Sequence, residues 1–338
     1  TISLKFLLGK YQMANLTIGK KTLKPFTMDV KPILEKYLTK INVDISDYTF
    51  AANYIWLANS SGFYTISNKC FCLFVMNGGE LTMLLPPIGK QKNVIHAMEL
   101  CFKIMNKNNS SKYYARIDYV YGSIIEQFVQ SVDEAETMFQ MLENYVVEKK
   151  LVDYVYKADS LIELRGNSYH TKRTEINKFI KSYPNYRIET LEHVKHFDDI
   201  IALFNKWVSD RVKYMPHEEA EVFLEGIHQE RHAIKKMLKH YQELDLIGLV
   251  IYIDNQLKGF TAGERINGDT ACVIIEKTDF EVLGCAQFIF REFSKLLQTH
   301  YGVMYINVGD DMGFENLKKV KMSYRPFKLI PKYTIYQK

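Results

Sequence analysis

The feature that most constrains this chain is a pattern that occurs twice along its 338 residues. In each copy, three short apolar runs separated by turn sequences precede an amphipathic stretch, and one further apolar run follows. Short apolar runs bounded by turns are typical of strands, and apolar spacings of three and four residues are typical of a helix. The copies extend over about residues 47–130 and 246–322. Such a repeat predicts a duplicated α/β architecture.

Each copy supplies four predicted strands. In the first copy they are Phe63–Ile66, Cys70–Val75, Leu81–Leu85 and Tyr113–Val120. In the second copy they are Leu246–Tyr252, Leu257–Arg265, Ala271–Glu276 and Met304–Val308. A helix is expected to begin at Asp47, before the first strand, and amphipathic helices are expected between the third and fourth strands of both copies.

The region between the copies is predicted to contain a helix at Val132–Glu148 and a short strand at Val152–Tyr156. We place a domain boundary near Tyr156. The resulting domains are an N-terminal arm at 1–28, a first structural or acceptor-binding domain at 29–156, and a second domain with the active site at 157–338.

The composition indicates which partners and which cellular compartment are compatible with this protein. The 44 basic and 39 acidic residues give a formal charge of +5, which permits a phosphate-bearing partner without requiring one. The five cysteines are scattered and the histidines lack metal-ligand spacing, so we expect reduced thiols and no metal site. Because no apolar run approaches the roughly 20 residues that span a bilayer, we expect a soluble, cytoplasmic protein that is at most peripheral to the membrane.

Polar residues collect where the last predicted buried strand ends. Asn307, Asp310 and Asp311 follow the apolar run that begins at Met304, and ligands in α/β sheets usually bind at the carboxyl ends of strands. Asn307 is a candidate to orient a carbonyl group. Asp310 and Asp311 are candidates to bind an ammonium group of a substrate, although a turn with an aspartate that caps the next helix explains the same sequence.

Two basic runs are candidates for contacts with a substrate. The first run could make charge-assisted contacts to phosphate, although a solvated basic helix surface is the more common explanation for such a run. In the second run, two lysines three residues apart point to the same side of a helix. The candidates are Lys172, Arg173 and Lys178 for phosphate, and Lys318, Lys321 and Tyr324 for the substrate.

The runs Tyr169–Phe179 and Asn316–Pro326 resemble a bacterial family related to the C-terminal catalytic domain of phosphatidylglycerol lysyltransferases. The resemblance covers about residues 29–336. It implies a tandem of GNAT acyltransferase folds, each a mixed sheet flanked by helices, as in the Fem-type aminoacyltransferases. It also implies transfer of an aminoacyl group from a transfer RNA to a lipid, peptide, amine or hydroxyl acceptor, with a transfer RNA end and an anionic lipid headgroup as partners.

The same resemblance implies a single carboxylate as the catalytic base. Glu276 stands near the end of the third strand of the second copy, where GNAT enzymes often hold such a base, although a salt bridge with Lys277 or another neighbour is the more common explanation. The site is expected between the ends of the predicted strands Ala271–Glu276 and Met304–Val308.

Two other functions are also compatible with the sequence. An acyl-CoA-dependent N-acetyltransferase acting on a small amine would bind pyrophosphate at the stretch Glu281–Ala286, where Gly284 is retained but Glu281 introduces a repelling charge. A non-catalytic protein of the same fold would bind RNA, a nucleotide or a membrane surface. Aminoacyl-tRNA is thus the expected donor, and acyl-CoA is the donor in the alternative.

Overall fold

The computed structural model describes residues 14–57, 61–125, 144–213 and 215–338. These residues form one mixed sheet of 13 strands flanked by helices. The strands are β1 (Leu16–Ile18), β2 (Lys21–Pro25), β3 (Gly62–Ser67), β4 (Cys70–Asn77), β5 (Glu80–Met83), β6 (Arg116–Tyr121), β7 (Tyr145–Lys157), β8 (Arg187–Thr190), β9 (Ile247–Ile253), β10 (Gln256–Arg265), β11 (Thr270–Thr278), β12 (Tyr305–Asn307) and β13 (Lys328–Gln337). The helices are α1 (Lys31–Leu38), α2 (Phe50–Trp56), α3 (Gln91–Asn108), α4 (Ala158–Glu163), α5 (His170–Ser182), α6 (Phe197–Val212), α7 (His217–Lys239), α8 (Cys285–Tyr301) and α9 (Glu315–Ser323).

The two halves of the sheet are built alike. Strands β3, β4 and β5 form an antiparallel meander, helix α3 follows, and β6 then pairs in parallel with β5. Strands β9, β10 and β11 form a second antiparallel meander, helix α8 follows, and β12 pairs in parallel with β11. The predicted tandem arrangement of GNAT-like α/β units, each with a mixed sheet and flanking helices, is therefore confirmed.

The last strand of each half lies beside the other half. The sheet order is β1-β2-β3-β4-β5-β6-β13-β7-β12-β11-β10-β9-β8. Strand β13, at the end of the chain, pairs with β6, whereas β7 pairs with β12. Because β13 and β7 also pair with each other, the exchange joins both halves into one continuous sheet. The predicted boundary at Tyr156 falls inside β7, and the division into domains stays a prediction.

Some predicted elements differ in kind or in length. Residues 145–148, expected at the end of a helix, begin the long strand β7, because their partners in β13 supply the hydrogen bonds of a ladder. Residues 132–143 of that predicted helix lie outside the described residues. Helix α2 begins at Phe50 rather than near Asp47, because the Thr49 side chain accepts a hydrogen bond from the Ala52 N–H and caps it. Residues 16–25, within the predicted arm, form β1 and β2, whereas residues 1–13 lie outside the described part of the chain.

Candidate active site

A buried lysine surrounded by three aspartates lies where the two halves meet. The Lys332 Nζ is 2.8 Å from Asp47 Oδ2, 2.9 Å from Asp153 Oδ1 and 2.5 Å from Asp310 Oδ2. Lys332 belongs to β13 and Asp153 to β7, so the exchange of strands brings these charges together. Lys332 is only 1% exposed. Since one ammonium group faces three carboxyl groups, the ionised cluster, which we call the aspartate cluster, carries two negative charges in excess.

Neighbouring groups fix the orientation of Asp153 in the aspartate cluster. Its Oδ2 accepts hydrogen bonds from the Ser46 N–H and hydroxyl, both at 2.8 Å, and from the Asn307 amide, also at 2.8 Å. Asn307 is itself fully buried, donates to the Asp44 carbonyl and accepts from the Gly309 N–H. Asn307 therefore lies beside the aspartate cluster, where it holds a carboxylate in place.

Burial and charge oppose each other within the cluster. Burial disfavours the ammonium form of Lys332, but attraction by the three aspartates outweighs it and raises the pKa of that lysine above its ordinary value. Burial also raises the pKa of Asp47; repulsion from Asp153 and Asp310 adds to this effect, and Lys332 counteracts it. Asp47 is therefore poised to exchange a proton closer to neutral pH than an ordinary aspartate.

A cleft of about 290 Å³ opens beside the aspartate cluster. Its lining includes Ser46 and Asp47 and the β11 residues Val273 and Ile274. Strand β11 pairs with β12 only from Thr270 to Cys272, and Ile274 is an extra residue in its ladder with β10. Past Cys272, no strand among the described residues pairs with this edge of β11, and Val273 and Ile274 there line the cleft. Backbone N–H groups on such an edge are suited to stabilise a developing oxyanion.

Both predicted ammonium-binding aspartates have partners within the protein. Asp310 pairs with Lys332 and accepts a hydrogen bond from the Met312 N–H at 2.8 Å. Asp311 accepts from the Tyr154 hydroxyl at 2.5 Å and from the Gly313 N–H at 3.0 Å. Asp310 thus joins the aspartate cluster, whereas Asp311 closes the turn before α9.

The candidate residues of the C-terminal basic run are divided between the interior and the surface. Lys321 points inward, where its Nζ donates to the carbonyls of Val308 and Asp310 at 2.6 and 2.5 Å, and burial lowers its pKa to about 8. Tyr324 is buried, and its carbonyl accepts a hydrogen bond from the Tyr169 hydroxyl. Lys318 is exposed and lies 3.3 Å from Glu315.

Glu276 does not line the cleft. It lies half-buried opposite Thr261 of β10, and burial of its carboxyl group raises its pKa to about 8. Its Oε2 has no hydrogen-bond partner among the described residues. Lys277, the alternative partner that the sequence offered, pairs instead with Glu230 at 2.8 Å. The role of Glu276 as a base stays a prediction.

The predicted phosphate-binding residues of α5 have different environments. The Lys172 Nζ lies 4.6 Å from the centre of the Tyr324 ring. Arg173 donates to the carbonyls of Leu164 and Gly166, where α4 ends, and Lys178 is exposed. Arg173 therefore completes the end of a helix, and of the three only Lys178 extends freely into solvent.

Helix α5 also covers the beginning of α8, where the sequence suggested a weak pyrophosphate-binding stretch. Gly284 has a φ of +83°, and a Cβ there would lie 2.3 Å from the Glu175 carbonyl oxygen of α5. Glu281 forms a 3.0 Å ion pair with Lys206. Close backbone packing therefore occupies the space beside the α8 N-terminus.

The residues predicted from the sequence did not include Asp47, Asp153 or Lys332. The latter two are charged residues inside otherwise apolar stretches of β7 and β13, and a charge on a buried strand is a signal for a paired, functional group. Within the described residue ranges, no group of three metal-ligating side chains has the geometry of a metal site. The helices among these residues are all too short or too polar to cross a bilayer.

Comparisons with known proteins agree with this architecture. The sequence profile of the family described as phosphatidylglycerol lysyltransferase, C-terminal, matches residues 39–336. A conserved protein of unknown function from Bacteroides thetaiotaomicron is 22% identical, with 94% of this chain and 99% of that chain covered at a TM-score of 0.75. The C-terminal domain of a protein assigned as a lysylphosphatidylglycerol synthetase, from Agrobacterium fabrum, is 11% identical, with coverages of 92% and 93% and a TM-score of 0.64. At these identities, the two structures establish similarity of fold.

An uncharacterised protein from Mycoplasmoides gallisepticum is 22% identical over 190 residues, which are 56% of this chain. The match covers 58% of that relative's length. The chain thus spans little more than half of the curated relative that it matches.

Proposed function

Because the chain belongs to the family of phosphatidylglycerol lysyltransferase C-terminal domains, we propose that it is an aminoacyltransferase whose site is the cleft beside the aspartate cluster. The donor is an aminoacyl-tRNA, and the acceptor is a hydroxyl group of an anionic lipid. The observation that carries this proposal is the presence of three aspartates around one lysine, with Asp47 reaching the cleft.

The charge of the cluster fits an aminoacyl donor. An aminoacyl ester carries an ammonium group, and a lysyl ester carries two. The excess negative charge around Lys332 creates a field that favours such a group over an uncharged acyl chain. Asp153 and Asp310 contribute to that field from the interior, while Asp47 lines the cleft. We therefore assign recognition of the donor's ammonium group to the cluster as a whole.

The reaction is a direct transfer between two oxygen atoms. The acceptor hydroxyl attacks the ester carbonyl, its proton goes to Asp47, and the edge of β11 near Val273 stabilises the oxyanion. When the tetrahedral intermediate collapses, the bond to the ribose oxygen of the transfer RNA breaks, and Asp47 returns the proton to that oxygen. The ester bond to the acceptor replaces the ester bond to the donor, so no cofactor is consumed.

Transfer from acyl-CoA is the less favoured alternative. GNAT enzymes that use this donor bind pyrophosphate at the helix that begins here with Cys285. The contact between Gly284 and Glu175 leaves little room for a phosphate group there, and Glu281 adds a negative charge. Saturable binding of coenzyme A, with protection of the Gly284 loop from proteolysis, would restore this alternative.

The test is an incubation of the protein with lysyl-tRNA and phosphatidylglycerol vesicles, followed by mass spectrometry of the lipid and soluble fractions. A new aminoacyl adduct is expected, and Asp47→Asn should reduce its rate by about 10²- to 10⁴-fold. The matched control is Asp254→Asn, because Asp254 is an exposed turn residue with a positive φ that asparagine tolerates. No adduct in either fraction, or equal rates in the two variants, would contradict the proposal and favour a non-catalytic binding protein.

A further inference from the structure

Helix α9 is unusual because none of its residues is buried in the part of the chain that the structure describes. A surface helix of a globular protein normally buries an apolar stripe against the core. Helix α9 contains Val320 and Met322, yet these side chains are 53% and 43% exposed. Its apolar residues therefore contribute little to the core.

The exposed apolar residues continue on both sides of this helix. We call residues 312–329 the C-terminal segment. Its exposed large apolar side chains are Met312, Phe314, Val320, Met322, Phe327 and Leu329. A local concentration of exposed apolar side chains is typical of an interaction surface rather than of ordinary protein surface.

The C-terminal segment is anchored, so its exposure is a fixed property of the fold. Lys321 donates to the carbonyls of Val308 and Gly309. Nearer the C-terminal end of the segment, the Phe327 N–H donates to the Val155 carbonyl at 2.8 Å. The Phe327 ring also stacks on Tyr305, with 5.5 Å between the ring centres. These contacts hold the segment at its middle and near its C-terminal end while its apolar side chains remain exposed.

Cationic side chains accompany the apolar ones. Those on the segment or in contact with its rings are Lys157, Lys172, Lys318, Lys319, Arg325 and Lys328. Two carboxylates offset part of this charge, since Glu315 pairs with Lys318 and Asp44 pairs with Lys328. The cations remain in excess, so the surface combines apolar groups with positive charge.

We propose that the C-terminal segment docks this protein on the surface of an anionic lipid bilayer. Binding is stabilised when apolar side chains enter the headgroup region and when lysines approach anionic lipids. RNA would attract the lysines but would not bury Met312 or Val320. The combination of cationic and exposed apolar side chains therefore favours a bilayer. The identity of the lipid as the acceptor rests on the proposed function, but docking itself does not. Because Lys321 bonds the carbonyl of Asp310, a docked surface adjoins the aspartate cluster.

The test is co-sedimentation of the whole protein with vesicles of phosphatidylcholine alone, or of phosphatidylcholine mixed with phosphatidylglycerol. Binding is expected to the anionic vesicles, with weaker binding at high salt. Lys318→Gln combined with Lys319→Gln should weaken binding by roughly thirtyfold, the factor expected for two cationic side chains near the bilayer. Phe314→Ser combined with Val320→Ser should weaken it at both salt concentrations.

The control for the apolar change is Val194→Ser, because Val194 is 81% exposed and lies outside the segment. Asp47→Asn should slow transfer without reducing vesicle binding, so failure of docking and failure of the proposed function are distinguishable. Three outcomes would overturn the inference. The unaltered protein fails to bind anionic vesicles, or Val194→Ser weakens vesicle binding as much as the segment variants do. In the third outcome, the protein binds an RNA homopolymer but not the vesicles.

Discussion

Lys332 of β13 lies 2.5 Å from Asp310, a residue of the loop that follows β12. The contact joins the last strand of the chain to the end of a strand in the opposite half of the sheet. An ammonium group with 1% exposure is tolerated only because carboxylates surround it. The exchange of strands and the chemistry of the site therefore depend on the same residue.

We expect Lys332→Met to destabilise the fold by about 3–5 kcal/mol, because it leaves buried carboxylates without their counter-ion. The free energy of unfolding from chemical denaturation measures this loss. Lys328→Met is the control, since Lys328 is in the same strand but is half-exposed and lies 3.4 Å from Asp44. Its cost should stay within about 0.5 kcal/mol. Equal losses of unfolding free energy in the two variants would mean that the aspartate cluster does not stabilise the fold.

Tyr154→Phe should destabilise the protein by about 1.5–3 kcal/mol, because the hydroxyl of Tyr154 donates to the carboxylate of Asp311 in a buried environment. The change leaves the ring in place and removes one hydrogen bond. Tyr301→Phe, at an exposed position, is the control and should have little effect on the unfolding free energy. If Tyr154→Phe proves neutral and instead impairs donor binding, Asp311 acts as the predicted ammonium-binding residue rather than as part of a turn.

The sequence was sufficient to predict the tandem α/β units, because each strand and helix leaves a local periodic signal. The run Leu257–Arg265, for example, was predicted as a strand and forms most of β10. The exchange of β7 and β13 leaves no such signal, since it is decided by hydrogen bonds between residues far apart in the chain. Residues 145–148 illustrate this limit, because their partners in β13 turn an expected helix into a strand.

The candidate site was predictable in the same partial way. Asp310 and Asn307 were selected because they follow a buried strand, and both lie at the aspartate cluster. Lys332 and Asp153 were missed because each is a single charged residue on a strand. Whether such a residue finds a partner of opposite charge depends on which strands become neighbours in the sheet. Asp47 was missed because its place before an amphipathic run indicated only the start of a helix.

Glu276 should make stability depend on pH. Burial raises its pKa from 4.5 in the unfolded chain to about 8 in the folded protein. The folded state therefore holds the proton more tightly, so this contribution to stability is fully present below pH 4.5 and is lost as the pH rises toward about 8. Glu276→Gln should remove this decline, as measured by unfolding midpoints across that range.

Glu264, whose pKa burial also raises to about 8, adds a decline of the same sign, so only part of the total should disappear in Glu276→Gln. Glu192→Gln is the control, because the Glu192 side chain is 67% exposed. An unchanged pH profile in Glu276→Gln would show that this carboxyl remains ionised in the fold. In the transfer assay, loss of activity in the same variant with normal folding would support its predicted role as the base.

Gly284→Ala should destabilise the protein by roughly 2–5 kcal/mol, for two reasons that can be separated. A side chain at a φ of +83° carries a conformational cost of about 1–2 kcal/mol, and its Cβ would lie 2.3 Å from the Glu175 carbonyl oxygen, which forces α5 and α8 apart. Gly302→Ala isolates the first cost, because Gly302 has a φ of +68° and no atom within 4 Å of its Cβ position. The difference in unfolding free energy between the two variants then measures how closely α5 packs on the α8 N-terminus. A difference near zero would mean that this space is open, and an acyl-CoA donor would regain support.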